Sequence, residues 1–272
     1  MHGRISRVQL FRAAGAGLAL AAAPGIAAAA TGGPPGRSYP FFPQVQGTYT
    51  TEQLPDILNF LVTVEHLGVT VVNLALTTYA SQLQLPPLAQ TVLQSTVARD
   101  QAHLEFLASI GGTPLTTTFT VPPALFATAV GLLEAAEAFE TLEAGAYITA
   151  VMEFAELGQP TLSKNASQVA AIEGESRALV RATLLSMGVP DASPPGNKAF
   201  ETDLLLYVRD EYALITALGF IGGASPPVPY PGRDAALAAA GATGAAVIQR
   251  TPNNASSTFT FTGLPNITAE RT

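Results

Sequence analysis

Apolar residues recur at steps of three and four along four long stretches of the chain, and this spacing predicts four helices with one buried face each. The helices are expected at about residues 53–82, 87–110, 123–157 and 165–187. Proline or glycine follows each of them, at Pro86, Gly111, Gly158 and Gly188, and both residue types end helices. The pattern therefore predicts an all-α fold built on four long helices.

The connection between the second and third helices, residues 113–123, has no helical spacing. Eleven extended residues span about 36 Å, which is about the length of a 24-residue helix. A segment with this reach can cross a whole bundle. We therefore expect a four-helix bundle with a long crossover between helices two and three.

Outside the bundle, the composition of the chain changes. A fifth, shorter helix is expected at about 200–220, and Pro, Gly, Ala and Thr dominate the tail after it. Alternating residues at 257–263 predict a short strand within that tail. The predicted divisions are a signal peptide (1–30), an extended Pro/Gly arm (31–50), the bundle (51–190), a linker with the additional helix (191–224) and an irregular tail (225–272).

The N-terminus has the three parts of a signal peptide. Three arginines within residues 4–12 precede an apolar stretch at 13–23, and an Ala-x-Ala site lies near Ala30. We therefore expect an exported protein in the periplasm, the cell envelope or the medium. Residues 6–12 resemble a twin-arginine signal, but Val8 stands where its second arginine belongs. The general secretory route stays open as the alternative.

Composition excludes several classes of function. Charged residues make up 12% and hydrophobic residues 48% of the 272 residues, so the chain can form a core and is not a disordered polypeptide. The formal net charge of −7 argues against a nucleic-acid partner. The absence of cysteine excludes thiolate metal sites and disulfides. No transmembrane span is expected in the mature chain, and association into a homo-oligomer or with the envelope is left open.

Acidic residues on the predicted core faces repeat at one spacing. Glu65 precedes Asp100 by 35 residues, and Glu140 precedes Glu175 by 35 residues. His103 lies three residues after Asp100 and therefore on the same helix face. Three other titratable residues are expected outside the core. Glu105 and Glu173 are expected to be solvated, and His66 is expected to lie at the surface or at an interface.

A buried carboxylate without a partner is energetically costly, so such groups pair with a cation or coordinate a metal. Inward acids from all four helices of a bundle, together with one histidine, form the arrangement that binds two metal ions. The predicted metal ligands are Glu65, Asp100, His103, Glu140 and Glu175.

Four segments resemble the ferritin-like domain of exported bacterial proteins and plant desiccation-related proteins. They are ILNFLVTVEHLG (57–68), STVARDQAHLEFLASIGG (95–112), FETLEAGAY (139–147) and EGESRALVRATL (173–184). The family pattern places Glu on the first and third helices and Glu-x-x-His on the second and fourth. The resemblance thus assigns Glu65, Asp100 with His103, Glu140, and Glu175 with Ala178 in place of the second histidine.

This resemblance implies a di-metal carboxylate protein in which iron or manganese reacts with dioxygen or peroxide. Glu65 and His103 would hold one ion and Glu140 the other, with Asp100 and Glu175 between them. The second position is the weaker one, since it lacks a histidine. Tyr147 lies on the same helix face as Glu140 and is expected to pack in the core. A redox role beside the metal is the less favoured alternative.

The alternative hypothesis is a non-enzymatic exported bundle that binds no metal and serves a structural, stress-related or desiccation-related role. The low charge, the proline-rich arm at 31–50 and the long tail favour it. The clustered acids favour the first hypothesis, because a purely structural bundle has no need of all four.

The signal-peptide pattern predicts that the mature protein begins near Thr31. N-terminal sequencing of protein recovered from the envelope or the medium tests this expectation. Material that begins at Met1 would contradict it.

Overall fold

A computed structural model describes residues 51–189, 192, 199–201, 205–246 and 251–252. The predicted signal peptide, the arm at 31–50 and the strand at 257–263 lie outside these residues. Within the described chain, the fold is all-α with one short two-stranded ribbon.

In chain order, the α-helices are α1 (Leu54–Leu76), α2 (Ala80–Leu83), α3 (Pro87–Ser109), α4 (Ala129–Glu156), α5 (Pro160–Ser186), α6 (Val208–Ala217) and α7 (Arg233–Ala246). A 3-10 helix, Pro123–Phe126, precedes α4. Strands β1 (Thr118–Phe119) and β2 (Val228–Pro229) pair antiparallel. The long helices α1, α3, α4 and α5 form the predicted four-helix bundle.

Local sequence sets the ends of the long helices. Pro87 and Pro160 begin α3 and α5, where the missing N–H of proline is of no consequence. The Thr128 side chain accepts a 3.0 Å hydrogen bond from the Gly131 N–H and so caps α4. Gly158 ends the turn between α4 and α5 at a φ of 68°, a left-handed conformation that glycine adopts without strain.

The bundle pairs α1 with α3 and α4 with α5. Its apolar core consists of two separate clusters. One includes Leu67, Leu93 and Leu133, and the other includes Leu61 and Leu107. Charged side chains fill the level between the two clusters, and we call this level the charged layer.

The predicted crossover is confirmed. The connection after α3 begins beside Asn59, whose Oδ1 accepts a 2.8 Å hydrogen bond from the Thr113 N–H. It reaches Tyr79, beyond the other end of α1, where the Phe126 ring stacks at 4.1 Å between centroids. The distance along α1 from Asn59 to its last residue is about 25 Å at 1.5 Å per residue. The chain therefore crosses the length of the bundle before α4 begins.

Helices outside the bundle differ in part from the prediction. The fifth helix is present as α6, shorter than expected, and packs on α1 and α4. The tail from 225 onward was expected to be irregular, and this is wrong for Arg233–Ala246, which form α7 against α3. Ala236 and Ala240 are fully buried there, because their small side chains let the two helices approach closely.

Helix α1 is long and apolar enough to cross a membrane by length and composition alone. However, 72% of its most apolar window is buried inside the fold. It has the character of a core helix of the bundle.

The contact between Phe126 and Tyr79 anchors the far end of the crossover. Since Phe126 is 1% exposed, Phe126→Ala should lower the free energy of unfolding by about 3–5 kcal/mol. Phe200 is 89% exposed, so Phe200→Ala is the matched control and should change stability by less than about 0.5 kcal/mol. Urea unfolding measures both, and equal effects would contradict the anchor.

Candidate metal centre

The charged layer contains five acids, one arginine and one histidine from the four bundle helices. These residues are Glu65 from α1, Arg99, Asp100 and His103 from α3, Glu140 and Glu143 from α4, and Glu173 from α5. All five acids are at most 3% exposed. Their burial between two apolar clusters lowers the local dielectric, which strengthens every charge interaction within the layer.

Four of the five sequence-predicted ligands come together in this layer: Glu65, Asp100, His103 and Glu140. The expected convergence of Glu175 is wrong. Its side chain is exposed, and Glu173, which was expected to be solvated, is fully buried in its place.

The register of α5 explains this correction. Ile172 and Leu179 share the helix face of Glu175 and suggested a core face, but they are 41% and 46% exposed. The true inward face carries Val169, Glu173 and Val180. Because these two exposed residues are apolar, the periodicity of the sequence predicted the wrong inward face for α5.

The change of register also moves the position of the missing second histidine. Ser176, rather than Ala178, lies three residues after Glu173 and on its face. Ser176 Oγ donates a 2.8 Å hydrogen bond to Glu140 Oε1. A hydroxyl thus replaces the imidazole of the family pattern and binds an acid of the layer.

Sequence reasoning missed two further members of the layer. Glu143 lies three residues after Glu140, so the two acids share a face of α4, and this spacing was a usable signal. Arg99 directly precedes Asp100, and the local pattern gave no sign that its guanidinium turns inward.

The acids form two groups whose ligand atoms lie within 4.8 Å of one another. We call Glu65, Asp100 and His103 the first triad, and Glu140, Glu143 and Glu173 the second triad. Each offers three donor side chains, which is the usual number in a catalytic metal site with an open position.

Arg99 is the buried cation between the triads. Its Nη2 atom lies 2.8 Å from Asp100 Oδ1, 3.0 Å from Glu140 Oε1 and 3.3 Å from Glu173 Oε2. One nitrogen therefore contacts acids from three helices. The guanidinium ties α3 to α4 and α5 by charge.

His103 and Tyr147 bind the other side of the layer. His103 Nδ1 lies 2.9 Å from Glu173 Oε1 and 3.4 Å from Glu65 Oε1. The Tyr147 hydroxyl donates a 2.5 Å hydrogen bond to Glu65 Oε1. Tyr147 is thus a buried core residue, as expected, and it also holds the Glu65 carboxylate in place.

Within the charged layer, three carboxylates keep a buried oxygen with neither a hydrogen bond nor an ion pair: Glu65 Oε2, Glu140 Oε2 and Glu143 Oε1. The two oxygens of Glu173 also lack hydrogen bonds, but they contact His103 and Arg99. A buried acceptor left unsatisfied is costly. A divalent ion would satisfy these atoms, so the layer fits a metal bound by hard oxygen ligands and one imidazole.

The acids of the layer have different pKa values: three are raised and that of Glu173 is lowered. Burial raises the pKa of Glu143 and Glu140 well above the usual value, with the neighbouring acids adding to the effect. Burial likewise raises the pKa of Asp100, to about 7, although Arg99 opposes it. Burial alone would also raise the pKa of Glu173, but Arg99 and His103 stabilise its anion and bring it to about 2.

The same contacts act on His103. Burial alone would lower its pKa, but Glu65 and Glu173 outweigh burial and raise the value to about 10. His103 is therefore an imidazolium in the metal-free layer at neutral pH. A metal ligated by His103 takes the place of that proton.

Gly68 leaves room for the acids beside α1. A β-carbon at this position would lie 3.1 Å from Asp100 Oδ2 and 3.5 Å from Glu143 Oε1. The same glycine lines a cavity of about 50 Å³ that also borders Asp100, Glu140 and Glu143. By the same measure a single water needs about 10–15 Å³, so the cavity admits a small molecule next to the acids.

The remaining expectations concern His66 and Glu105. His66 is 7% exposed, so its surface assignment is wrong, and its ring packs edge-on against Tyr230 at 4.5 Å between centroids. Glu105 is only half-buried, and its Oε1 lies 2.9 Å from Arg233 Nε.

Two substitutions in the metal-free layer are expected to change the free energy of unfolding in opposite directions. The pKa of Glu173 is lowered to about 2, so its anion stabilises the fold above about pH 4.5, and this contribution is lost as the pH falls toward 2. At pH 7, Glu173→Gln should therefore lower the free energy of unfolding by about 3–5 kcal/mol.

The pKa of Glu143 is raised, so stability is lost as the pH rises above about 4.5, and Glu143→Gln should relieve this loss. At pH 7 Glu143→Gln should therefore unfold at a higher urea concentration than the unmodified protein. The exposed Glu175→Gln is the control. Chelator-treated protein unfolded in urea gives all three values, and a loss of stability in Glu143→Gln would contradict the charge assignment.

Comparison with known proteins agrees with this architecture. Residues 54–186 match the family described as the ferritin-like domain. Neither the curated proteins nor the solved structures contain a match to the chain. The matched residues run from the first residue of α1 to the last residue of α5 and include the whole charged layer. The fold of this part of the chain is that of a ferritin-like four-helix bundle.

Proposed function

We propose that this ferritin-like domain holds iron or manganese in its charged layer and uses the metal in chemistry with dioxygen or peroxide, outside the cytoplasm. The observation that carries the proposal is the first triad, in which the buried Glu65 Oε2 has no hydrogen-bond partner and lies in one group of ligands with Asp100 and His103.

The donor set supports the choice of metal. The charged layer offers five carboxylates and one imidazole as ligands. Carboxylates bind hard or borderline cations such as manganese and iron. The chain has no cysteine, so no thiolate competes to bind softer metals. The layer is also sealed by apolar clusters, which keep bulk water from its acids.

Individual residues have separable roles in this proposal. Glu65, Asp100 and His103 would hold the metal, and the Tyr147 hydroxyl fixes the orientation of Glu65 through its 2.5 Å hydrogen bond. When bound, iron or manganese supplies one-electron redox chemistry toward dioxygen or peroxide.

The cavity beside Gly68 determines what can approach the layer. Apart from its acids, its walls are largely apolar and include Val72, Phe139 and Phe220. Such walls admit a small neutral molecule and disfavour a charged one, because an ion entering them would lose its hydration. Dioxygen and peroxide both satisfy this condition.

Export is the second part of the proposal. It is supported by the arginines, the apolar stretch and the Ala-x-Ala site within residues 1–30. An oxidising compartment suits a chain without cysteine, since it contains no thiol to be oxidised.

A metal-free structural bundle, with a stress-related or desiccation-related role, is the second candidate function. One observation favours it: Arg99 and His103 already place two cations within 3.4 Å of Glu65, Asp100, Glu140 and Glu173. On this view the layer is an internal salt-bridge network. Metal analysis of protein purified without chelator separates the two functions.

Metal binding should stabilise the folded chain. Adding manganous ion to chelator-stripped protein should raise the melting temperature, because a ligand at a hundred times its Kd adds about 2.7 kcal/mol to stability. His103→Ala should reduce this rise, because it removes the imidazole of the layer.

The control is Glu175→Ala, since Glu175 is exposed and lies away from the layer. It should show the same rise as the unmodified protein. If neither manganous nor ferrous ion changes the melting temperature of the unmodified protein, the structural function replaces the metal-binding one.

A further inference from the structure

We infer that Arg99 takes the place of a second metal ion, so that each chain binds one divalent ion, at the first triad of Glu65, Asp100 and His103. The inference rests on the proposed function, since it concerns how many ions the charged layer accepts and where. It departs from the two-ion arrangement that the sequence pattern predicted.

The position of the guanidinium is the first step of the argument. Arg99 is 8% exposed, and its Nη2 atom lies within 3.3 Å of oxygens from Asp100, Glu140 and Glu173. These acids come from three different helices. A cation that gathers carboxylates from several helices does what a bridging metal does in such a bundle.

The second step is the state of the second triad. Arg99 binds Glu140 Oε1 and Glu173 Oε2, and the Ser176 hydroxyl also binds Glu140 Oε1. His103 Nδ1 lies beside the other oxygen of Glu173. Among the oxygens of this triad, Glu140 Oε2 and Glu143 Oε1 alone are both buried and without a contact from Arg99, His103 or a hydrogen-bond donor. A second ion would find only these two oxygens free, because each oxygen of Glu173 lies against either Arg99 or His103.

The third step is that the first triad keeps its donors. Arg99 binds Asp100 through Oδ1, while Asp100 Oδ2 faces the space left by Gly68. Glu65 receives the Tyr147 hydroxyl on Oε1 and keeps Oε2 without a partner. One ion would be held there by these oxygens and by Nε2 of His103, while Arg99 stays in place and Nδ1 of His103 stays beside Glu173.

The guanidinium also opposes a second ion by charge. An arginine side chain does not lose its proton in proteins, and Arg99 is fixed among its three acids. A divalent ion at the second triad would meet this positive charge at close range in the buried interior, where repulsion between cations is stronger than in water.

The main experiment counts bound ions. Chelator-stripped protein is loaded with manganous ion, desalted and analysed for manganese per chain. We expect one ion in the unmodified protein, two in Arg99→Gln and one in Arg99→Lys, which keeps the positive charge. Arg233→Gln is the matched control because Arg233 is exposed and contacts Glu105 and Asp234 outside the layer; it should bind one ion.

A second pair of variants locates the ion without altering Arg99, in case Arg99→Gln does not fold. Glu65→Gln should lower manganous-ion affinity about tenfold or more, the scale on which metal sites respond to loss of a supporting group. Glu143→Gln should leave one ion bound with nearly unchanged affinity. Calorimetric titration measures both variants.

The outcomes separate the inference from the function on which it rests. Two ions in the unmodified protein, or one ion in a folded Arg99→Gln, would overturn the inference while metal binding stands. Loss of the ion in Glu143→Gln but not in Glu65→Gln would also overturn it. No ion in either the unmodified protein or Arg99→Gln would instead refute the proposed function, and the inference with it.

Discussion

The layer of buried charge between two apolar clusters is the constraint on which the rest of the structure depends. Five carboxylates within a bundle repel one another and lose their hydration. Arg99 and His103 supply the opposing charge, and they contact acids from α1, α4 and α5 as well as Asp100 on their own helix. The relative positions of the four helices are therefore set by charge in the middle of the bundle and by apolar packing at its two ends.

Other parts of the fold maintain this arrangement. The crossover lets α3 and α4 each place acids at one level, since it carries the chain back along the bundle before α4 begins. Tyr147 and Ser176 each donate a hydrogen bond to a carboxylate of the layer, Glu65 and Glu140 respectively. Gly68 matters for a different reason, because it leaves space where two acids approach α1.

Sequence patterns predicted the helices, the crossover and the inward position of four of the five side chains expected to meet inside the bundle. These features depend on regular spacing and on residues that break helices. They failed on α5, where Ile172 and Leu179 are apolar but exposed and so pointed to Glu175. The equal spacing of 35 residues strengthened that error by coincidence. The burial of the Arg99 side chain could not be predicted, because the neighbouring sequence does not distinguish a buried guanidinium from a solvated one. Helix α7 was missed because alanine-rich sequence carries little contrast between faces.

The contacts of Tyr230 and α7 with the bundle have a consequence for the order in which the protein can fold during synthesis. Tyr230 donates a 2.6 Å hydrogen bond to Gln101, and its ring contacts His66. These two partners are the immediate neighbours in sequence of Asp100 and Glu65, so the tail braces α3 and α1 directly behind the acids. The ferritin-like segment is complete at residue 186, but a nascent chain of that length lacks this brace. The ribosome must add the tail before the outer side of α3 is covered. A protein truncated after α5 would retain every acid of the layer, but the outer sides of α1 and α3 would be bare.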